Sequence, residues 1–438
     1  MDKHARSVLF IASLLLVAIV AMGGALPTKL SAAPSVPPPV GCAQAEQQSA
    51  GYATPSPALA GQIADMQKLV ARHHDPGVVE YTLAELYARA KRYCDALRYL
   101  KKVVALHQGW NPSNDPLFAA MNRIGDYQAI VQKLAAEYPA VHRSAVVFTV
   151  HDPEMVPENV SFDEAATTWY VSSIYRRGVV RVDGAGRVRD FLRPYQYGLW
   201  EAIGMRIDRM TNSLWLCTAA ENETPQTNGS SALLNVDVRS GRLLHKYVIG
   251  GGKTRHLFND LVLDHNGNIY ISDSYANTLY WLPAATRKLQ VLVPGYTRDF
   301  PNGIDLDPTQ RYLYVAYFNG GVDVVDLRTK KYRTLSHPPN VTLEGIDGLY
   351  YYRGSLIGVQ SIGTERVARF YLDSSGSRVV SEQTLEYRNP IFQQPTEGTI
   401  VGSTLYYVAN SQNFYVAANG KLRPEHTFAD PVVLKLDL

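Results

Sequence analysis

The stretch that decides the fold is PNGIDLD, Pro301 to Asp307, which is followed by the apolar run YLYVAY, Tyr312 to Tyr317. Near-copies recur along the chain as PENVSFD from Pro157, IGMRID from Ile203, FNDLVLD from Phe258, IDGLYYY from Ile346 and TEGTIVG from Thr396. The residues that open these six strands lie 43 to 56 positions apart: Glu158, Ile203, Asn259, Asn302, Asp347 and Glu397. A period of about 40 to 50 residues with strands in every unit is typical of a β-propeller.

Each unit continues with a second and a third strand, and five of the six have a fourth. The last unit lacks its fourth strand, which the upstream run SAVVFTV, Ser144 to Val150, can supply. A ring closed in this way leaves no unpaired edge between the first and last blades. The sequence therefore predicts a mainly β protein, a six-bladed β-propeller over residues 144–438, with 144–150 as its closing strand.

The composition is that of a globular protein with an ample core. Of the 438 residues, 46% are hydrophobic and 19% are charged, and the formal net charge is +3. No block of Lys and Arg stands out, and a face that binds phosphates needs clustered bases. The sequence therefore argues against nucleic acid as a partner.

The first 26 residues have a basic start, Lys3 to Arg6, followed by an apolar run from Val8 to Leu26. This pattern predicts a signal peptide, with a retained membrane anchor as the alternative. We therefore expect an exported protein, periplasmic or secreted, that contacts a membrane only if this segment is kept. Residues 27–57 are rich in Pro, Ala, Ser and Gln and predict a flexible linker.

Three cysteines occur, at Cys42, Cys94 and Cys217. In an oxidising compartment Cys42 and Cys94 can pair. Three cysteines form no recognisable framework, however, which favours unpaired thiols.

Residues 58–140 change to a helical period, most clearly from Tyr81 to Leu106. This segment resembles a tetratricopeptide repeat, with Leu83, Tyr87, Tyr93 and Leu97 at that family's packing positions. Leu117 and Tyr127 lie 34 residues after Leu83 and Tyr93, which is the family's period. We expect a short all-α segment that either docks a partner protein or serves as a cap or spacer.

In a propeller the first strand of each blade lines the central channel, so the residues that open these strands converge on one rim. Five of the six carry a side-chain oxygen: Glu158, Asn259, Asn302, Asp347 and Glu397. Asn and Asp also favour turns, but the two glutamates are poor turn formers. Carboxylate and amide oxygens suit Ca²⁺, Mg²⁺ or Mn²⁺. The pattern thus predicts one divalent cation, with Ca²⁺ favoured and Mg²⁺, Mn²⁺ or Zn²⁺ as alternatives.

The same motifs carry a family resemblance. PENVSFD, FNDLVLDHNGNIYISDS, FPNGIDLDPTQRYLYVA and GIDGLYYYRGSLIGV are similar to blade signatures of the SMP-30/gluconolactonase/LRE-like family, to which paraoxonases and strictosidine synthase-like proteins are related in architecture. The resemblance covers residues 150–438, and it implies metal ligands at Glu158, Asn259, Asn302 and Asp347. The chain departs from gluconolactonases at Leu257, where they place a substrate-binding Arg, and it lacks the histidine pair of paraoxonases.

The resemblance implies a metal-dependent hydrolase of the lactonase or esterase type acting on a small lactone or ester. Asp347 is the first candidate for the general base, and His256 is the second because histidine titrates near neutrality. The candidate substrate-binding residues are Arg255, Trp200, Tyr275, Tyr317, Tyr350 and Glu397. Two alternatives remain: a non-catalytic binding module stabilised by its metal, and a strictosidine synthase-like scaffold, either of which docks a partner through the helical segment.

Overall fold

The computed structural model of the protein describes residues 38–49, 55–70, 77–221, 227–318, 320–417, 420–424 and 426–438. The chain divides into a helical unit, within residues 1–72, 79–138 and 423–427, and a β unit, within 73–78, 139–422 and 428–438. The predicted export segment lies outside the described residues. Among the helices that are described, none is long and apolar enough to cross a membrane.

The helical unit contains helices in the region where the helical period was found, and one helix before it. Their bounds are α1 (Cys42–Gln48), α2 (Pro57–Val70), α3 (Gly77–Arg89), α4 (Tyr93–Ala105) and α5 (Gly125–Glu137), with short 3₁₀ helices at Pro112–Asn114 and Pro116–Met121. Helix α4 buries one face because its apolar residues recur at intervals of three and four. That face consists of Tyr93, Ala96, Leu97, Leu100, Val103 and Val104.

The predicted packing residues of this segment, Leu83, Tyr87, Tyr93 and Leu97, are all at most 3% exposed. The 34-residue period is imperfect in the structure, because Leu117 lies in a 3₁₀ helix whereas its counterpart Leu83 lies in α3. The resemblance to a tetratricopeptide repeat therefore stays a prediction.

The structure differs from two expectations near the N-terminus. A helix, α1, lies inside the stretch predicted to be a flexible linker, and its residues Ala45 and Glu46 are buried. Cys42 and Cys94 form a disulfide with a Cα–Cα distance of 5.2 Å, whereas Cys217 is free and buried. The expectation of three unpaired thiols was wrong because the bond depends on α1 and α4 meeting, which cysteine spacing does not reveal.

The β unit is a six-bladed propeller made of six four-stranded antiparallel sheets. The first three blades consist of β2 (Pro157–Asp163), β3 (Thr168–Ser173), β4 (Gly178–Val182) and β5 (Val188–Leu192); β6 (Glu201–Asp208), β7 (Ser213–Ala219), β8 (Ser231–Asp237) and β9 (Leu243–Ile249); and β10 (Phe258–Leu263), β11 (Ile269–Asp273), β12 (Thr278–Leu282) and β13 (Gln290–Val291). The fourth and fifth consist of β14 (Pro301–Leu306), β15 (Tyr312–Tyr317), β16 (Gly321–Asp326) and β17 (Lys331–Thr334); and β18 (Ile346–Tyr352), β19 (Ser355–Gln360), β20 (Arg366–Leu372) and β21 (Val379–Tyr387).

The sixth blade combines strands from both ends of the β unit. It consists of β22 (Gly398–Val401), β23 (Thr404–Val408), β24 (Val432–Asp437) and the upstream strand β1 (Ala145–Thr149). Strand β1 pairs antiparallel with β24, with Ala145 opposite Lys435 and Thr149 opposite Val432. The buried carboxylate of Glu386 accepts hydrogen bonds from the backbone N–H groups of Arg143 and Ser144, both at 2.7 Å, and so fixes the entry of the closing strand.

The core of the propeller is distributed between neighbouring blades. Six clusters of buried apolar side chains fill the six junctions, including the junction between the last blade and the first. In the junction between the last blade and the first, Trp169 and Val171 of β3 pack with Val408 of β23 and Val433 of β24. Each inner strand is therefore held from both sides, which fixes the residues that line the channel.

The motif Pro301–Gly303 belongs to strand β14 and does not form a turn, although Pro, Asn and Gly all favour turns. The left-handed residue at this point is Phe300, with φ of 58°. Gly303 is required by close packing, because a Cβ atom there would lie 2.2 Å from the backbone oxygen of Asp347. The fourth and fifth blades thus approach each other closely beside Asn302 and Asp347.

Candidate functional site

Five inner strands carry a break in register at their first residues. The breaks fall at Glu158–Asn159, Ile203–Gly204, Asn259–Asp260, Asn302–Gly303 and Asp347. A β-bulge redirects a side chain that would otherwise follow the strand alternation. The first residue of each bulge is the residue that the sequence repeat singled out, including the one apolar member, Ile203.

The sixth blade corrects the sequence alignment by one residue. The backbone N–H of Ser411 bonds to the oxygen of Gln394, as Ser274 bonds to Leu257 and Ser361 to Gly345 in other blades. This equivalence places Thr396, and not Glu397, at the position of Asn259 and Asp347. Glu397 instead matches the second residue of each bulge, such as Asp260. These second residues form a layer of the channel one position further along the inner strands, below the predicted ligands.

The amides of two predicted ligands are oriented by hydrogen bonds. Asn302 Nδ2 donates to Asp347 Oδ1 at 2.8 Å, and Asn259 Nδ2 donates to Ser274 Oγ at 2.9 Å. Each amide nitrogen is therefore engaged, and each carbonyl oxygen points away from its partner. Asn259 Oδ1 and Asn302 Oδ1 are both buried and have no hydrogen-bond partner among the described residues. A buried carbonyl oxygen with no partner is costly, unless a ligand satisfies it.

The two predicted carboxylate ligands are held by side chains from the segments that follow the second strands of the fifth and sixth blades. Glu158 Oε2 accepts hydrogen bonds from Ser411 Oγ and Asn413 Nδ2, both at 3.2 Å, and Asp347 Oδ2 accepts one from Ser361 Oγ at 2.8 Å. Glu158 is 4% exposed and Asp347 is 5% exposed. The carboxylates are thus buried and fixed in orientation.

Without a cation, the electrostatics of the channel disfavour the state in which Glu158 and Asp347 are both ionised. Burial, and then the charge of Asp347, raise the pKa of Glu158 well above its ordinary value. Burial also raises the pKa of Asp347 to about 6, although hydrogen bonds from Ser361 and Asn302 lower it. A nearby cation would favour the ionised forms of both groups.

These donors fit a hard divalent cation. Glu158 and Asp347 carry two negative charges when ionised, and Asn259 and Asn302 add neutral carbonyl oxygens, which is the donor chemistry that Ca²⁺ prefers. Within the described parts of the chain, no group of three or more His, Cys, Asp or Glu side chains is placed to hold a metal ion. A mixed carboxylate and amide set is therefore the arrangement that the channel offers.

The second candidate base, His256, is held by an acid. His256 Nδ1 lies 2.6 Å from Asp273 Oδ2, and the other oxygen of Asp273 accepts the backbone N–H of Leu257 at 2.9 Å. The His256 ring lies edge-on to Tyr280 of the third strand, with 6.4 Å between centroids. The imidazole is thus fixed by Asp273 at the junction of the second and third blades.

Arg255 and Tyr275 lie together, with Arg255 Cζ 5.1 Å from the centre of the Tyr275 ring. The Tyr275 hydroxyl donates to Glu221, whose backbone N–H donates to Glu201 Oε2 at 3.0 Å. Burial, followed by the charge of Glu221, raises the pKa of Glu201 to about 8. Sequence reasoning missed both acids, although Glu201 lies two residues before the opener Ile203.

The other aromatic candidates lie in three different parts of the propeller. Trp200 lies against Lys246 of the outermost strand β9, with Nζ 5.2 Å from the ring centre. Tyr317 lies 5.5 Å from the guanidinium of Arg298, which also bonds Thr334 of the outer strand β17. The structure therefore does not bring Trp200 or Tyr317 together with the oxygen ligands. Tyr350 is buried and accepts the backbone N–H of Gly398 at 2.5 Å, in the layer below.

Three serines that orient the site were also missed. Ser274, Ser361 and Ser411 follow the second strands of three blades, 14 or 15 residues after Asn259, Asp347 and Thr396. This recurrence was the signal that could have found them. The serine hydroxyls also tie blades together, since Ser274 Oγ donates to the backbone oxygen of Pro301 at 2.7 Å.

The sequence matches no protein-family model and no curated protein. Among solved structures, the chain is similar to a gluconolactonase from Xanthomonas campestris at 18% identity, covering 69% of this chain and 92% of that one with a TM-score of 0.47. It is similar to a luciferin-regenerating enzyme at 16% identity (67% and 95% coverage, TM-score 0.44) and to a virginiamycin B lyase from Staphylococcus aureus at 12% identity (60% and 81% coverage, TM-score 0.44). At these identities and TM-scores the likenesses assign neither a family nor an activity to this chain.

Proposed function

We propose that this protein is a divalent-metal-dependent hydrolase of the lactonase or esterase type, acting on a small lactone or ester at the central channel. The observation that carries the proposal is the pair of buried carbonyl oxygens, Asn259 Oδ1 and Asn302 Oδ1, that have no partner in the described part of the chain. Asn302 donates to Asp347, and Asn259 donates to Ser274, which in turn donates to the backbone oxygen of Pro301 beside Asn302. Oxygen donors held in this way would suit Ca²⁺.

Glu158, Asn259, Asn302 and Asp347 would hold the cation. When bound, a divalent cation polarises a carbonyl group and stabilises a developing oxyanion. Asp347 is the first candidate to accept a proton from water, because its carboxylate is buried in the channel and oriented by Asn302 and Ser361. His256, oriented by Asp273, is the alternative proton acceptor.

The rim of the channel offers contacts for a polar substrate. Arg255 and Tyr275 lie together beside Glu221 and Glu201, so hydrogen-bond donors and acceptors are both present. We propose that this group, with Tyr350 and Glu397 below, orients the substrate. Hydroxyl groups on a lactone ring would suit such a mixed set of donors and acceptors.

A structural role for the metal is the second candidate, since the four ligands come from the first, third, fourth and fifth blades. A cation held by four blades would cross-link the ring without catalysing a reaction. In this case the protein is a binding module, with the helical unit as the docking surface for a partner protein. We further propose that the protein is exported, in keeping with its disulfide.

Metal binding and turnover separate these functions. Calcium affinity should be measured by calorimetry on chelator-treated protein, followed by hydrolysis assays on sugar, aliphatic and aromatic lactones. Calcium-dependent turnover would support the hydrolase. A protein that binds calcium and gains thermal stability, but is inert with every lactone and ester, would favour the binding module.

A further inference from the structure

Below the proposed metal site, a belt of polar contacts joins each blade to the next around the whole channel. Its six contacts are Ser161 Oγ to Met205 O (3.0 Å), Arg206 Nη2 to Asp260 Oδ2 (3.0 Å), Ile304 N to Asp260 Oδ2 (3.1 Å), Tyr351 N to Asp305 Oδ2 (2.7 Å), Gly398 N to Tyr350 Oη (2.5 Å) and Asn159 Nδ2 to Glu397 Oε2 (2.6 Å). These contacts pass in order through blades one to six and return to blade one. The channel belt is therefore closed.

Arg206 is the one cationic side chain of the channel belt. Its side chain is 15% exposed, and its partner Asp260 is fully buried. The guanidinium also lies 5.6 Å from the centre of the Tyr350 ring, in the fifth blade. A buried ion pair is costly to break, because the remaining charge stays in a low-dielectric interior.

The carboxylate of Asp260 connects the two predicted amide ligands. Asp260 follows Asn259 in the same bulge. Fixing Asp260 therefore also restricts the position of the Asn259 backbone. The same oxygen, Oδ2, accepts from Arg206 and from the backbone N–H of Ile304, which lies two residues after Asn302. One carboxylate oxygen thus joins the segments that carry Asn259 and Asn302.

We infer that Arg206 is a positioning residue: its guanidinium fixes Asp260 so that Asn259 and Asn302 are held in place before a metal ion arrives. The inference rests on the metal site proposed above. It adds a residue from the second blade, whose bulge begins with the apolar Ile203 and contributes no ligand oxygen. The second blade would therefore contribute to the site through the layer below.

Positioning and simple charge repulsion predict opposite effects on metal affinity. If Arg206 acted only as a nearby positive charge, Arg206→Met would make the channel more negative and tighten calcium binding. If it positions the ligands, the same substitution should weaken calcium binding by about 10- to 100-fold, as expected for loss of an outer partner of a metal ligand. Arg206→Lys keeps the charge and should recover part of the lost affinity.

The test uses full-length protein, with hydrogen exchange measured on the metal-free form and calcium affinity measured by calorimetry. Arg206→Met should speed amide exchange several-fold in β10 and β14, and Arg206→Lys should do so less. The control is Arg366→Met, which removes a similarly buried arginine that pairs with Glu382 at 2.7 Å in the fifth blade. The control should leave exchange in β10 and β14 unchanged.

Unchanged exchange in β10 and β14, or calcium binding that is equal or tighter in Arg206→Met, would overturn the inference. If Arg206→Met does not fold, Asp260→Asn removes the other half of the pair and is read by the same exchange measurement. If the wild-type protein binds no divalent cation, the proposed function fails. The exchange data on metal-free protein then still decide whether Arg206 fixes the two asparagine segments.

Discussion

Asn302 donates a 2.8 Å hydrogen bond from its side-chain nitrogen to Oδ1 of Asp347, across the contact between the fourth and fifth blades. The bond fixes which end of the amide faces Asp347, and it leaves the carbonyl oxygen of Asn302 buried with no partner among the described residues. The bond thereby orients an amide and a carboxylate, 45 residues apart in the sequence, that both carry the side-chain oxygens proposed to bind a cation.

Removing that amide should weaken metal binding. We expect Asn302→Ala to lower calcium affinity at least about tenfold, because a donor that is already oriented is lost. Asn266→Ala is a control, since this asparagine is exposed in the turn between β10 and β11. Calorimetry on both variants checks the prediction, and equal calcium affinity in Asn302→Ala and wild type would remove Asn302 from the ligand set.

Asp347→Asn separates metal binding from proton transfer. The variant keeps a carbonyl oxygen but removes a charge and the candidate base, so calcium affinity should fall while any remaining turnover at saturating calcium should drop sharply. His256→Gln should change turnover little if Asp347 is the base. Full turnover in calcium-loaded Asp347→Asn, together with a large loss in His256→Gln, would transfer the role of base to the pair of His256 and Asp273.

Asp305 should make the stability of the metal-free protein depend on pH. Burial raises its pKa from 3.8 to about 6, so the folded state holds this proton more tightly than the unfolded state. Its contribution is fully present below pH 4 and is lost as the pH rises to about 6. A pKa difference of about 2 corresponds to about 3 kcal/mol.

The variant Asp305→Asn isolates this effect. The difference in unfolding free energy between wild type and variant, measured by urea titration, should shift in favour of the variant by up to about 3 kcal/mol between pH 4 and pH 7. A difference that stays constant over this range would show that Asp305 is ionised with its ordinary pKa.

The closing strand should matter more than the helical unit for the stability of the ring. Deleting residues 1–150 removes β1 and leaves β24 without its outer partner, whereas deleting 1–140 keeps both β1 and the contact of Glu386 with Arg143 and Ser144. We expect the shorter deletion to melt cooperatively at a higher temperature than the longer one. Equal melting temperatures for the two would contradict the proposed role of β1.

Reduction should destabilise the helical unit selectively. The disulfide between Cys42 and Cys94 spans 52 residues, and closing a loop of this size contributes about 2 to 4 kcal/mol. In Cys42→Ser/Cys94→Ser, amide exchange in α1 and α4 should rise while exchange in β10 and β14 stays as in wild type. Unchanged exchange in the helices would show that packing alone holds α1 in place.

The sequence determined the number of blades, the closing strand and the residues that open five of the inner strands. These features depend on local alternation and on a repeat in which apolar residues return to the same positions about every 45 residues. Glu158, Ile203, Asn259, Asn302 and Asp347 were found because each repeat marks its own bulge. The proposal of a hard-cation site rests on the side chains of four of them.

Only the tertiary structure decided which neighbours these residues meet. At Glu397 a one-residue shift in register moved a side chain to the layer below, since neighbouring strand residues face opposite ways. The pairing of Arg206 with Asp260, of Cys42 with Cys94, and of Glu158 with Ser411 joins residues 52 to 253 positions apart, and so the local pattern contains no signal for it. Trp200 lies against Lys246 and Tyr317 against Arg298, and the sequence does not show these contacts because an aromatic side chain at a strand end can pack against any cation that the folded chain brings near it.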